Sequence, residues 1–378
     1  MPLLGFVAGE ASGDGVAAPV FAALLKEMPY LATLGVGGER LAAAGANVAW
    51  GYGPLAVHGF SDALARLPSL IAFRRRLRQT LLAHRVSHFL GIDAPDFNLG
   101  LARALSTAGV RTAQLVSPSV WAWRRGRIPR VVAAVERLFC LFPFEPACYA
   151  GTGLRADYVG HPLADAIPLV PDRDAARAAL AISPSAPVLA ILPGSRAGEW
   201  RRLAATFFAA AERVAAAVPG LVVVVPTADD QADQWVIPFR EAWSGRAPLI
   251  VAPRAAHQAL AAADVVLVAS GTATLEAALF KRPMVIAYRV PSWQYRLMRQ
   301  MAYLPWVGLP NILLNDSVVP ELLQEEATPA KLAAALLAWW EAPARVAALA
   351  DRFAALHETL RCQMAERTAA LLAEWIIG

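Results

Sequence analysis

A chain of 378 residues with 57% hydrophobic content and a mean hydropathy of +0.43 has material for two hydrophobic cores, which excludes a disordered polypeptide. Its formal net charge of +5 rests almost wholly on arginine, because Lys26, Lys281 and Lys331 are the only lysines among 35 basic residues; the mildly basic surface suits anionic partners, and no nucleic acid is expected among them. Cys140, Cys148 and Cys362 form no C-x-x-C pair and no metal-binding spacing, as in a protein of a reducing cytoplasm.

The first ten residues, MPLLGFVAGE, reach an acid without a basic region followed by an apolar one, so no export signal is expected. The uncharged run 178–195 contains Pro184, Pro187, Pro193 and Gly194, which break a helix, and no transmembrane segment is predicted. Attachment to a membrane surface needs only an amphipathic or aromatic and basic patch, and stays open.

Short apolar runs alternate with helical patterns from the start. PLLGFVA precedes a helix over 16–26, LATLGVGG precedes one over 39–44, and SHFLGID precedes one over 97–107; RTAQLVS and RLFCLFPF follow. This alternation is that of a parallel sheet covered by helices. A linker with Pro162, Pro168 and Pro171 intervenes, and PVLAILPGSR, LVVVVPTA, PLIVAPR, DVVLVASG and RPMVIAYR repeat the strand role with helices between them. The expected fold is α/β: two Rossmann-like, doubly wound domains over 1–165 and 166–340 facing across a cleft, with a helical tail over 341–378 that packs back on the first domain. Ligands of such sheets lie beyond the C-terminal strand ends.

The loop after the first strand, GFVAGEASGDG, satisfies G-x-G-x-x-A through Gly13, Gly15 and Ala18. Glu10 and Asp14 would set two carboxylates beside a pyrophosphate, so the loop is ill suited to a dinucleotide. Glu10, Ser12, Gly13 and Asp14 suit a hydroxyl-bearing acceptor; the other reading is a tight turn with Asp14 near a helix start. GIDAPDF, residues 91–97, lies at the C-terminal end of the SHFLGID strand, with Asp93 or Ala94 near the helix cap, Pro95 at the first helical turn and Asp96 in that turn. A transferase acting on an alcohol needs a base at such a strand end, and Asp93 is favoured over Asp96.

Two loops of the second half suit phosphate. Gly194, Ser195 and Arg196 join a strand to a long helix, where free backbone N–H groups, a hydroxyl and a guanidinium would meet an anion. Ser270, Gly271 and Thr272 repeat the design, with Glu276 one turn into the helix and able to accept both hydroxyls of a ribose; ordinary N-capping is the alternative for Ser270 and Thr272. Asp172-Arg173-Asp174 reads as helix-start charge rather than as a metal-sugar D-x-D motif, and His161 belongs to the linker, lining the cleft or capping it. Two stretches combine apolar and basic residues in the manner of an interfacial anchor: 66–85, with Leu70, Phe73, Arg74, Arg75 and Arg76, and 293–306, with Trp293 and Trp306. Both also fit helix faces packed on a core.

Taken together, AGEASGD at 8–14, GVGG at 35–38, FLGIDAPDFN at 89–98, VSPSVWAWRRGR at 116–127, LFPFE at 141–145, VGHPLAD at 159–165, ILPGSR at 191–196, VASGTATLE at 268–276, LPNILL at 309–314 and ELLQEE at 321–326 closely resemble the lipid-A-disaccharide synthase family, in order and from about residue 5 to residue 365. The resemblance implies an inverting GT-B glycosyltransferase that joins UDP-2,3-diacylglucosamine to the 6-hydroxyl of 2,3-diacylglucosamine 1-phosphate (lipid X), releasing UDP and a β-1,6 disaccharide. Carried over by residue, Asp93 would be the base, Arg196 would steady the diphosphate, Glu276 would hold the ribose, and Ser12 and Asn311 would line the donor or acceptor site. No cofactor and no divalent metal are expected, since Arg196 and helix N-termini carry the charge stabilisation. The family's habit is peripheral association with the cytoplasmic face of the inner membrane and dimerisation by C-terminal exchange. One departure stands out: after GSR the chain continues AGEWRR, which brings Trp200, Arg201 and Arg202 toward the donor and leaves acyl preference open.

Three rivals are distinguishable. A nicotinamide-dependent dehydrogenase would use the Gly13 loop for pyrophosphate with Glu39 as the ribose acid, at less than the usual spacing. A two-lobed sugar or anion receptor shares the hinge but would carry an export signal. A peptidoglycan-type N-acetylglucosaminyltransferase or a sugar-nucleotide epimerase would bind UDP without depending on acyl chains.

Overall fold

A computed structural model describes residues 2–55, 67–122 and 125–378. The chain divides into two compact units, one of residues 1–165 and 359–378 and the other of residues 166–358.

The first unit carries β1 (Leu3–Ala8), α1 (Ala11–Glu27), β2 (Ala32–Gly37), α2 (Glu39–Ala43), β3 (Val48–Gly51), α3 (Leu67–Ala83), β4 (His88–Ile92), α4 (Pro95–Ser106), β5 (Arg111–Leu115), α5 (Ile128–Val132), β6 (Arg137–Cys140) and β7 (Arg155–Tyr158). These strands form one parallel sheet in the order β3-β2-β1-β4-β5-β6-β7. Alternation along β1 feeds two cores: Leu4, Phe6 and Ala8 pack with Phe21 and Leu24 of α1, while Val7 packs on the opposite face with Leu77, Leu81 and Leu101. Gly35 is dictated by a close approach, since a Cβ there would lie 2.1 Å from the Phe6 carbonyl oxygen.

The second unit begins within α6 (Pro162–Ala166) and continues through α7 (Arg173–Ala179), β8 (Val188–Leu192), α8 (Ala197–Ala217), β9 (Val222–Thr227), α9 (Asp230–Glu241), β10 (Leu249–Pro253), α10 (Ala256–Ala262), β11 (Val265–Ala269), α11 (Thr272–Leu279), β12 (Met284–Tyr288), α12 (Ser292–Met301), α13 (Leu309–Leu314), β13 (Glu321–Leu323), α14 (Pro329–Trp340) and α15 (Pro343–Leu360). Its strands are again parallel, in the order β10-β9-β8-β11-β12-β13. A fully buried Arg177 on α7 ties the edge of this core together, reaching Asp264 at 2.9 Å and the carbonyls of Pro184, Ala186 and Ala262. Such a cation is tolerable because nearly every donor it owns is matched.

The expected break at residue 340/341 falls elsewhere. Most of α15 stays with the second unit, and the chain rejoins the first only at Thr359, from which α16 (Met364–Ile377) packs along α1. Asp165 accepts from the N–H groups of Gln363 and Met364 and so fixes the start of α16, while Trp375 lies edge-on to His88 with Arg111 stacked on its ring. Among the described residues no single helix is long and apolar enough to cross a membrane; 329–340 and 343–377 reach that composition only as a pair across an 89° bend.

Candidate active site

In each sheet the strand order reverses at one place, between β1 and β4 in the first unit and between β8 and β11 in the second. The loops at those C-terminal strand ends diverge to opposite faces and leave a crevice, which is where ligands of such sheets bind.

In the first unit these are the Gly9–Glu10 loop, which leads into the first turn of α1 and its Ser12, and Asp93 to Ala94. Ser12 Oγ donates to Asp93 Oδ2 at 3.2 Å. Asp93 and Ala94 both have positive φ, 52° and 40°, a conformation that costs a non-glycine residue of order 1 kcal/mol or more and must be imposed by its surroundings. The imposition is visible. Asp93 N–H donates to Leu115 O at 3.0 Å, and its carbonyl accepts from the buried amides of Asn98 and Gln114, each at 2.9 Å. Gly91 makes room for both amides, because a Cβ there would lie 2.3 Å from Gln114 Oε1 and 3.0 Å from Asn98 Cβ; Gly9 does the same for Ala94, at 2.4 Å. The FLGIDAPDFN stretch is thus a clamp that aims one carboxylate. Asn98 as a clamp residue, and Gln114 altogether, escaped the sequence reading, because an amide pattern without a known partner strand carries no signal.

Glu10 is exposed and sits at the N-cap of α1 without capping it. Gly13 is buried, and a Cβ added there would meet Ile92 O and Asp93 Cβ at ordinary contact distances. Asp14 differs from the acceptor-lining expectation: it is 3% exposed, and its carboxylate accepts from Gly38, Arg40 and Leu41 N–H at 2.7, 3.2 and 3.3 Å. It caps α2 from a neighbouring helix and bolts the GVGG loop to α1, so its acceptors are spent inside the protein. Asp96 is 82% exposed and pairs with Arg127 at 2.7 Å.

The second unit changes the phosphate expectation. Gly194, with φ of 126°, does open the turn before α8, but the N–H groups of Ser195 and Arg196 are not free: both donate to Glu199 Oε2, at 3.0 and 3.3 Å. A glutamate at the third helical position reaching back to the helix start satisfies these orphan donors, the reciprocal half of a capping box. Gly194 permits this, since a Cβ would lie 2.2 Å from that oxygen. Trp200 does not face a donor; it is buried against Trp235 and Phe239, and its indole N–H holds Gly194 O at 2.8 Å. The guanidiniums of Arg196 and Arg201 remain exposed.

The β11 loop is the more open of the two. Ser270 Oγ donates to Val307 O at 2.9 Å and ties this loop to the β12–β13 connection, whereas α11 begins at Thr272 behind an exposed Gly271 with no side-chain cap. Glu276 lies 3.2 Å from His257 Nε2, and that hydrogen bond raises the imidazole pKa above its ordinary value against the opposing effect of burial. Asn311 is 1% exposed and internally matched: its amide donates to Val319 O and Glu321 Oε1 at 2.9 and 2.8 Å and accepts from Val319 N. Glu321, missed in the sequence, also accepts from Val307 and Gly308 N–H, and burial holds its carboxyl above the usual range. Asn311 and Glu321 therefore shape the wall rather than offer free groups.

Asp172 caps α7 through Ala175 N–H. His161 is buried on Phe142, accepts from Leu163 N–H, and is held down to a pKa of about 4 by burial. Leu70 and Phe73 pack against the first unit's core while Arg75 and Arg76 stay exposed; Arg66 lies outside the described residues, as do Trp123 and Arg124 of the VSPSVWAWRRGR stretch. Trp293 is 59% exposed on α12, and Trp306 donates to Ser317 Oγ at 2.8 Å. Among the described residues no three His, Cys, Asp or Glu side chains come together as a metal cluster.

HepE of Anabaena, solved with UDP-glucose, superposes with a TM-score of 0.56 at 13% identity, covering 99% of this chain and all of that one. A putative UDP-N-acetylglucosamine 2-epimerase from Listeria monocytogenes does so with a TM-score of 0.63 at 11% identity, covering 99% and 95%. The fold is of the two-Rossmann, GT-B type.

The sequence goes further. The model of the lipid-A-disaccharide synthetase family matches residues 4–372. Lipid-A-disaccharide synthases of Azoarcus and Thiobacillus denitrificans are 47% and 50% identical over 376 and 370 residues, covering 99% and 98% of this chain and 96% and 99% of theirs. That of Neisseria meningitidis is 44% identical over 375 residues, with 99% and 97% covered. The chain belongs to the lipid-A-disaccharide synthase family, whose members are glycosyltransferases of lipid A biosynthesis.

Proposed function

We propose that this enzyme transfers 2,3-diacylglucosamine from its UDP derivative to the 6-hydroxyl of 2,3-diacylglucosamine 1-phosphate in one inverting displacement. The observation that carries this reading is the clamped Asp93, held at the β1/β4 reversal with Ser12 on its carboxylate. Asp93 takes the proton of the acceptor hydroxyl as the oxygen attacks the anomeric carbon, and UDP departs from the opposite side. Glu10 and Ser12 orient the acceptor sugar.

The second unit takes the donor. Because Glu199 occupies the Ser195 and Arg196 N–H groups, the diphosphate is assigned to the uncapped start of α11 at Gly271 and Thr272, with the Arg196 and Arg201 guanidiniums closing on it. Glu276 accepts the ribose hydroxyls once His257 lets go of it. Cationic side chains and a helix N-terminus supply the charge stabilisation, so turnover is expected without divalent metal.

The acyl chains enter from a membrane surface. Exposed Trp293, Leu297 and Tyr303 on and just after α12, beside Arg296 and Arg299, support a peripheral contact through the second unit. Three free cysteines agree with a cytoplasmic location on that surface. Exchange of α16 between two copies would preserve its packing on α1, and is the form a dimer would take.

The test is UDP release from UDP-2,3-diacylglucosamine and lipid X in detergent micelles with EDTA, with the disaccharide followed by mass spectrometry. Equimolar UDP and disaccharide support the reading. UDP without disaccharide, or turnover only after deacylation, discards the substrates while keeping the fold.

A further inference from the structure

A cavity of about 510 Å³ opens on the outer side of α4, one turn along the chain from Asp93. Its wall carries four arginines, Arg74, Arg103, Arg127 and Arg130, against the single carboxylate of Asp96. They come from three separate places: Arg74 from α3, Arg103 from α4, and Arg127 and Arg130 from the turn before α5 and from α5 itself. Cations brought together from separate elements repel one another unless an anion joins them, and one carboxylate balances only a quarter of this charge.

Two details show that the convergence is built. Arg74 turns back over the α4 backbone at Gly100, where a Cβ would lie 2.4 Å from its guanidinium nitrogen. Glycine in the interior of a helix costs about 1 kcal/mol relative to alanine, and here it leaves the Arg74 guanidinium room to lie against the helix backbone. Arg103 donates to Ala133 O at 2.6 Å, and Arg127 is fixed on Asp96 at 2.7 Å, so two of the four guanidiniums are already oriented.

We infer that this cavity binds a phosphate monoester, and that its occupant is the 1-phosphate of the acceptor. Planar guanidiniums match phosphate oxygens in pairs, a phosphate monoester at neutral pH carries most of two negative charges, and the volume accommodates a phosphate with part of a sugar. Asp96 is then a placeholder that holds Arg127 until the phosphate arrives, rather than a second base. This inference rests on the transferase reading above and adds to it how the acceptor is told from its dephosphorylated counterpart.

The experiment compares lipid X with the same sugar lacking the 1-phosphate, in neutral detergent micelles, for the wild type, the double variant Arg74→Gln with Arg130→Gln, and Gly100→Ala. Hydrogen bonds to a charged group support an expected rise in acceptor KM of roughly ten- to hundredfold in the double variant, with donor KM unchanged and no penalty for the acceptor lacking phosphate. Gly100→Ala keeps or raises the melting temperature while displacing Arg74, and raises the lipid X KM severalfold. An unchanged preference for lipid X in the variants overturns the assignment, as does loss of binding to phosphatidylglycerol vesicles with that preference intact, which would make the occupant a lipid headgroup. If the wild type makes no disaccharide at all, the transferase reading fails by itself. Calorimetric titration with glucose 1-phosphate then decides the site: binding weakened in the double variant supports it, and equal binding overturns it.

Discussion

Ser12 Oγ stands 3.2 Å from Asp93 Oδ2 and joins the first turn of α1 to the loop after β4 across the point where the first sheet reverses its strand order. The two residues are 81 positions apart in the chain, and the contact orients a half-buried strand-end acid.

Asp93→Asn removes the assigned base while keeping its shape, and kcat should fall by roughly 10²–10⁴-fold with melting unchanged. Asp96→Asn should alter acceptor KM and leave kcat within about tenfold, because Asp96 is engaged by Arg127. Steady-state UDP release measures both, and the reverse ranking would transfer the role of base to Asp96.

Gly91→Ala pushes a methyl group into Gln114 and Asn98, both fully buried. Overpacking of this kind costs about 1–3 kcal/mol, and release of the Asp93 carbonyl should lower kcat as well. Chemical denaturation gives the first and turnover of the folded fraction the second. A loss of stability with full turnover would detach the clamp from catalysis.

Glu145 is 3% exposed, accepts from Phe142 N–H and Trp121 Nε1, and is pushed up to a pKa of about 7 by burial. An acid with a raised folded pKa binds its proton more tightly in the native state, so stability falls as pH rises from the unfolded value near 4.5 through 7. Between pH 5 and pH 8 the wild type should lose roughly 2–3 kcal/mol relative to Glu145→Gln. Parallel urea titrations at the two pH values check it, and parallel curves would show that Glu145 stays neutral or is solvated.

The His257–Glu276 pair is set the other way. A histidine with a raised folded pKa stabilises fully below 6.5 and loses that contribution as pH rises through its folded value. At this half-exposed site the gain is a few tenths of a kcal/mol, whereas the functional effect is larger: neutral His257 frees Glu276 for ribose. Donor KM should therefore fall as pH rises through that range, and His257→Ala should flatten the profile. A flat wild-type profile would remove Glu276 from the donor site.

The central strands were legible because parallel strands buried on both faces are continuous apolar runs, as in Val188–Leu192 and Val265–Ala269. The edge strands Val48–Gly51, Arg155–Tyr158 and Glu321–Leu323 were missed, being short, partly exposed and of no distinctive pattern. Gly194 and Gly271 were recognised as strand-to-helix turns from sequence, but the satisfaction of the first loop by Glu199 was not, because side-chain direction decides whether a glutamate three residues on faces the helix start or solvent.

Sequence by itself determined the two-Rossmann architecture, the family and the strand-end loops, since periodicity and glycine placement are local properties. Tertiary structure alone decided which polar groups are free. Asp14 and Asn311 read as ligand contacts until distant backbone N–H and C=O groups claimed them, and only the fold gathered Arg74, Arg103, Arg127 and Arg130 from separate elements around one cavity. A hydrogen-bonding group serves a ligand to the extent that the fold has not already committed it to a buried partner, and that accounting is settled across the whole structure.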